Sequence, residues 1–395
     1  MPPRSTAVIS AMGCISPMGS NAAATRQSLR DGRDGVREVD LFSTARFRCH
    51  RAGHVPEDFE GRAATICLKS RGWPRAAKLV LIAISEALDR RPDFQPDVVI
   101  AGTTSGGMDF GEQFFRGIES GLSAITARQL TRGYVPHQPV IDVLEHFGIA
   151  APIRVISNAC ASGTNAIGVA ANLVRRGQAE RVLALGFDAL AELVFAGFDA
   201  LQASTSETCR PFDSGRSGLV LGEGAAAFCI ERGDEVPDDL ILAGVAGYGC
   251  ANDNFHLTKP DPSGIGPRLS MERALTDAGW DAGSLDYLNA HGTGTPFNDA
   301  SEAEAIRAVC PEVPFSSTKA MTGHALGAAG AIEAAFCLHA MGGEFLPPNI
   351  HLQSPMSGLN IVANESQPAS VRRVISNSFG FGGSNASILF EKWHR

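Results

Sequence analysis

An α/β fold made of two similar halves is what this sequence predicts, and three observations predict it. Short β-branched runs are apolar on both faces, as in strands covered on both sides. Stretches with apolar residues at three- and four-residue spacing, the mark of amphipathic helices, alternate with those runs. A similar closing strand also recurs, at residues 225–231 and again at residues 386–391.

In chain order, Val98-Val99-Ile100, Arg154-Val155-Ile156, Val182-Leu183-Ala184-Leu185 and Ile241-Leu242-Ala243-Gly244-Val245 read as buried strands. Residues 75–88 read as a helix, with Ala76, Leu79, Val80, Ala83, Ile84 and Ala87 on one face. Residues 162–176 read as a helix stopped by Gly177, and residues 269–278 as one stopped by Gly279, since glycine takes the left-handed backbone that ends a helix. The polar turn at 234–239 separates two expected units, 1–235 and 236–395.

The chain has 395 residues, 44% hydrophobic and 19% charged, a globular mixture and not a disordered one. Its 34 Lys+Arg against 42 Asp+Glu give a net charge of −8. That acidity argues against nucleic-acid or anionic-membrane binding, which need a basic surface. No secretory leader and no apolar run of about 18 residues is seen, so no membrane span is expected. The nine cysteines show no C-x-x-C spacing and no metal-ligand cluster. They read as reduced thiols of a cytoplasmic protein, with room for one nucleophile among them.

Four segments can carry chemistry. In Ser157-Asn158-Ala159-Cys160-Ala161-Ser162-Gly163-Thr164, an apolar strand runs through small residues into a helix. A cysteine at such an elbow, near a helix N-terminus, is expected to have a lowered pKa; the plainer reading is a small buried thiol. In Leu288-Asn289-Ala290-His291-Gly292-Thr293-Gly294-Thr295-Pro296, a strand delivers a histidine onto a loop whose glycines permit close approach by a ligand, or the histidine is structural. Lys319 and His324 flank a turn into a helix too rich in glycine and alanine to be exposed. A lysine there is functional or ion-paired, for instance with Glu302 or Glu333. Ser376-Asn377-Ser378-Phe379-Gly380-Phe381-Gly382-Gly383 is a pliable loop that either binds an oxyanion through backbone N–H groups or turns a hairpin beside a core phenylalanine.

The order of these segments resembles the β-ketoacyl-acyl-carrier-protein synthases of the I/II type. So do Met12-Gly13-Cys14-Ile15-Ser16-Pro17-Met18-Gly19, Arg210-Pro211-Phe212-Asp213 and Gly222-Glu223-Gly224-Ala225. The resemblance covers essentially the whole chain. It implies the thiolase-like five-layer α-β-α-β-α fold of two duplicated halves, with the nucleophile in the first half and the two histidines and the lysine in the second. It implies decarboxylative Claisen condensation, in fatty-acid or type II polyketide or polyene biosynthesis. Cys160 would carry the acyl chain, and His291 and His324 would stabilise the malonyl enolate. Lys319 with Glu302 as its acidic partner would tune His324, and the N–H groups of Cys160 and Phe379 would form the oxyanion hole.

The resemblance further implies an acyl channel gated by Phe379 and bounded by Ser105, Phe198 and, from a partner subunit, Tyr134; the small Ser105 suggests tolerance of long or unsaturated chains. Lys69, Arg71 and Arg75 fall on a segment that docks acyl carrier protein. Asn289, Glu333, Ser376 and Asn377 fall where some relatives hold a structural monovalent cation, and no cofactor is required. A homodimer is expected, or the active half of a heterodimer with a chain-length-factor-like subunit. A thiolase is disfavoured because the closing loop has no cysteine. A non-catalytic acyl-carrier binding partner is disfavoured because Cys160, His291 and His324 are all present.

Overall fold

The computed structural model describes residues 6–393. Ten strands form its main sheet: β1 Ala7–Ile15, β2 Val98–Gly102, β3 Ile153–Ile156, β4 Arg181–Asp188, β5 Gly224–Arg232, β6 Ala243–Asn252, β7 Tyr287–Asn289, β8 Phe315–Ser316, β9 Arg373–Gly380 and β10 Ser384–Glu391. Their spatial order is β8-β7-β9-β10-β6-β1-β5-β4-β2-β3. Outward from the seam, one half runs β1-β5-β4-β2-β3 and the other β6-β10-β9-β7-β8, which is the same order. Directions match too: in each half the two pairs nearest the seam are antiparallel and the next two parallel. The duplication read from the closing strands is thus present strand by strand.

Within the sheet, among the described residues, the two halves meet at the ladder pairs Val8 with Gly244 and Ile9 with Ala243. The layers are built by six helices: α1 Arg75–Arg90, α2 Gln138–Phe147, α3 Ser162–Arg175, α4 Ile265–Ala278, α5 Pro296–Val309 and α6 Ala329–Gly343. Helices α3 and α6 touch strands of both halves, which therefore face each other across them. Helices α1 and α2 cover the outside of the first half, and α4 with α5 the outside of the second. Three apolar cores fill the spaces between these layers, one central and two outer. This is the five-layer α-β-α-β-α arrangement.

Local sequence explains the elements. The apolar face expected for α1 is buried, with Leu81 and Ile82 buried as well because the helix lies in a filled layer. Gly177 and Gly279 end α3 and α4 in the left-handed conformation, φ 65° and 69°. Helix α4 begins at Ile265, ahead of the expected 269, and β6 begins at Ala243, behind the expected 241. The Gly/Ala content of α3 and α6 lets them cross closely: a Cβ on Gly163 would stand 2.8 Å from the backbone N of Ala331. By length and composition, Leu326–Gly343 is apolar enough to cross a membrane, but most of it is buried as the central helix. All nine cysteines are free, and only Cys250 is exposed.

Candidate active site

The position of Cys160 is fixed by the turn between β3 and α3. Ala159 adopts φ 55°, a left-handed conformation that costs a non-glycine residue roughly 1–3 kcal/mol. Ser162 holds that turn: its Oγ donates to the Ala159 carbonyl at 2.6 Å and accepts from the Asn158 N–H at 3.0 Å. The end of β9 lies against the same elbow, since a Cβ on Gly380 would stand 3.0 Å from Cys160 N.

Each histidine is held by its backbone. His291 follows β7; its N–H and that of Gly292 donate to the two oxygens of Glu302, at 2.8 and 2.7 Å. Its carbonyl accepts from Lys319 Nζ at 2.5 Å. His324 is clamped between Val220 and Gly222: its N–H donates to Val220 O at 2.7 Å, and its carbonyl accepts from the Gly222 N–H at 2.9 Å. Gly323, at φ 66°, makes this approach possible, because a Cβ there would collide with the Leu221 carbonyl.

The three side chains converge. His324 Nε2 lies 2.9 Å from Cys160 Sγ, and a ligating atom of each of Cys160, His291 and His324 lies within 4.8 Å of the others. The imidazole rings meet edge to face with centroids 5.2 Å apart, and Phe379 stands against His291 at 5.7 Å. Cys160 is 7% exposed and both histidines 1%, so charge created here is poorly screened.

Burial, reinforced by the Lys319 ammonium, holds both histidines well below their usual pKa, so they are neutral at pH 7. Burial pushes the Cys160 thiol up to about 12, with Lys319 pulling the other way. The lowered pKa expected from the helix N-terminus is therefore not what this buried position gives, although His324 Nε2 stands within hydrogen-bond reach of the thiol. Burial likewise raises the carboxyls of Glu302 and Glu333 to about 7.

Several expectations change here. The acidic partner of Lys319 is Glu333, at 2.5 Å, not Glu302, which instead ties down the His291 loop. The glycines of that loop admit packing and not a ligand: a Cβ on Gly292 would stand 2.5 Å from Ser317, and one on Gly294 2.9 Å from Cys209 Sγ. Ser105 is absent from the lining of the cavity at Cys160, and its hydroxyl donates to Asp188 at 2.7 Å. Phe198 and Phe379 do line this cavity of about 230 Å³, while Tyr134 lines a separate apolar groove. Arg75 is turned inward, bound through Nε and Nη2 to the buried Glu223 at 2.7 and 2.5 Å, and is not offered to a carrier. Lys69 and Arg71 remain exposed on the short turn Leu68–Gly72.

The four side chains expected around a cation do not point to one place. Ser376 Oγ donates to Asn289 Oδ1 at 3.4 Å, whereas the Asn377 amide, on the opposite face of β9, is engaged with Glu302 and Ser387. Glu333 Oε2 is a buried oxygen without a partner.

Asp188 is a residue that sequence reasoning missed. Buried at the end of β4, it accepts from Thr103 Oγ1, Thr104 N, Ser105 N and Oγ, and Gly327 N, all within 2.9 Å. It thereby ties the loop after β2 to the turn that leads from His324 into α6. An acidic residue closing the apolar run 182–187 was the available signal, because a charge there is costly unless it is bonded.

Comparison with known proteins agrees with this geometry. The family model described as Beta-ketoacyl synthase, N-terminal domain, matches residues 5–235, and that of the C-terminal domain matches residues 242–353. The chain is 34% identical to 3-oxoacyl-[acyl-carrier-protein] synthase 2 of Staphylococcus aureus over 98% of both chains, and 32% identical to the enzyme of that name from Vibrio harveyi, again over 98% of both. Among solved structures, it resembles the ishigamide ketosynthase/chain length factor at TM-score 0.92 and 29% identity, covering 99% of this chain and 100% of that one. It resembles a beta-ketoacyl synthase from Burkholderia phymatum at TM-score 0.86 and 30% identity, with the same coverage. With two domain models matched in order and relatives aligned from end to end, the chain belongs to the β-ketoacyl synthase family of condensing acyltransferases.

Proposed function

We propose that this protein condenses an acyl group held on Cys160 with a malonyl group delivered on acyl carrier protein, in fatty-acid or type II polyketide biosynthesis. The observation that carries this is the convergence of one thiol and two neutral histidines in a buried cavity. In acyl transfer, the Cys160 sulfur bonds to the acyl carbon and the carrier's C–S bond breaks. The thiol gives up its proton as the bond to carbon forms, and the departing carrier sulfur takes up one proton. The backbone N–H groups of Cys160 and Phe379 receive the oxyanion.

In the second step the bond between the malonyl α-carbon and its carboxylate breaks and CO2 leaves. The electron pair becomes an enolate, whose oxygen accepts from the N–H groups of His291 and His324. Neutral histidines suit this step, because an uncharged donor does not fix the carboxylate in place. The enolate carbon then attacks the acyl carbon, the Cys160 C–S bond breaks, and the thiolate takes up one proton. Lys319, bonded to the His291 carbonyl and Glu333, positions the histidines and keeps them uncharged.

Assembly with a second copy of this chain is supported by two surface features. The main sheet ends on the open edge of β3, where Ile153 and Ile156 are half-exposed. An apolar groove of about 540 Å³ lies open, lined by Met108, Phe115, Tyr134 and Leu193. Likeness to the ishigamide ketosynthase/chain length factor favours a heterodimer as a second reading. The free state of all nine cysteines fits a reducing cytoplasm.

The test is mass spectrometry after incubation with acyl-loaded carrier protein. A thioester adduct should form on the native chain and vanish in Cys160→Ala. An adduct that persists in that variant would sink the assignment.

A further inference from the structure

Lys259 is the one lysine or arginine lining the Cys160 cavity among the described residues. It stands exposed at the mouth, whereas Cys160 and the histidines lie buried below. Its Nζ rests 4.8 Å from the ring centroid of Phe297, itself 57% exposed. A cation held on an aromatic face is oriented without being neutralised. The acid in the same lining, Asp253, is already committed: Oδ1 accepts from the Phe255 N–H at 3.1 Å and Oδ2 from the Asp261 N–H at 3.2 Å. The mouth thus presents a fixed positive charge with its three donors unclaimed by an ion pair, beside Thr258 and Asn298.

A cation at the mouth has no role in the bond changes at the floor. The malonyl carboxylate is lost at the buried histidines, whereas Lys259 is exposed. What must lie across the mouth during both steps is the arm that carries the thioester inward. An arm tethered through phosphate brings one negative charge there. We propose that Lys259 binds the phosphate of that arm, on acyl carrier protein the phosphodiester that joins arm to protein. This rests on the reading that substrates arrive as thioesters on such an arm. Coenzyme A thioesters also bear phosphate on the same kind of arm, so the two sources need separate arms of the test.

The experiment measures acylation of Cys160 by one acyl group on three donors: carrier protein, coenzyme A and N-acetylcysteamine, which lacks phosphate. Lys259→Ala should raise KM for the two phosphate-bearing donors on the order of tenfold, the worth of one charge-assisted hydrogen bond. Lys259→Glu should raise it further, and Lys259→Arg should restore it. KM for the N-acetylcysteamine thioester should not move. A native preference for the carrier over coenzyme A assigns the phosphodiester as the bound group; the reverse preference overturns that assignment. An equal rise for all three donors, or none for the phosphate-bearing pair, overturns the role of Lys259. Failure of the native chain to accept any acyl group would instead overturn the condensing reading itself.

Discussion

Removing the carboxylate charge at Glu333 should damage this protein more than removing the ammonium it faces. Lys319 is 1% exposed, and its partners are Glu333 Oε1 and the His291 carbonyl. Glu333→Gln leaves a positive charge buried without its counter-charge, and breaking such a pair costs roughly 3–5 kcal/mol. That is a large share of a total stability of roughly 5–15 kcal/mol. Lys319→Met leaves a carboxyl whose pKa burial has already driven to about 7. That group can bind a proton and become neutral, so the loss should be nearer the ~1–3 kcal/mol of an unmade buried hydrogen bond. The double variant, with no charge left in the site, should be less destabilised than the sum of the two by about 2 kcal/mol. Urea unfolding of the four proteins at pH 7.5, with slopes compared to confirm a common unfolded state, measures all three differences. Additivity to within about 0.5 kcal/mol would show that the two groups do not act as a unit and refute the reasoning. So would a Lys319→Met variant less stable than Glu333→Gln.

Two further predictions concern the histidines and the basic turn. The pKa values of both histidines are depressed, so their donor form should persist as pH falls from 8 through 6.5, and activity should fall only below that. Lys319→Met removes one cause of the depression and should move the acid limb of the pH–rate profile upward; an unmoved limb would refute the electrostatic link. Arg75→Ala should lower stability by about 3 kcal/mol through the stranded Glu223, leaving KM for carrier-bound substrate unchanged. Arg71→Glu should do the reverse, and the opposite pattern in steady-state kinetics and thermal melts would return Arg75 to the docking surface.

What could be read from the sequence was local. The elbow at Cys160, the histidine at the end of β7 and the small-residue helix α6 each follow from residues adjacent in the chain. Strand ends, Gly177 and Gly279 were legible for the same reason. What could not be read depends on which distant loops meet. Glu302 and Glu333 are equally plausible partners for Lys319 by composition; the fold turns Glu333 of α6 toward the ammonium and points Glu302 of α5 at backbone N–H groups. Arg75 looks like a surface charge until Glu223, 148 residues later, is brought under it. The Ser105 hydroxyl looks free until Asp188, 83 residues later, accepts from it. The pKa of Cys160 departs from expectation in the same way: the helix N-terminus is local and visible, but burial is a property of the whole fold.

The repeated strand order means that every loop at the working end of the sheet exists twice. The loop after β7 carries His291, and its counterpart after β2 carries Thr103 and Ser105, bonded to Asp188. The turn after β3 carries Cys160, and its counterpart after β8 leads to His324. One member of the first twin thus carries a site residue and the other a brace, while both members of the second lead into the site. Neither half holds a working set, since the thiol and the imidazoles come from opposite sides of the seam. A cut in the turn near residue 237 would part Cys160 from His291 and His324 while leaving each sheet half its own strands. Two such fragments would regain activity only by finding each other, so turnover would report their reassembly.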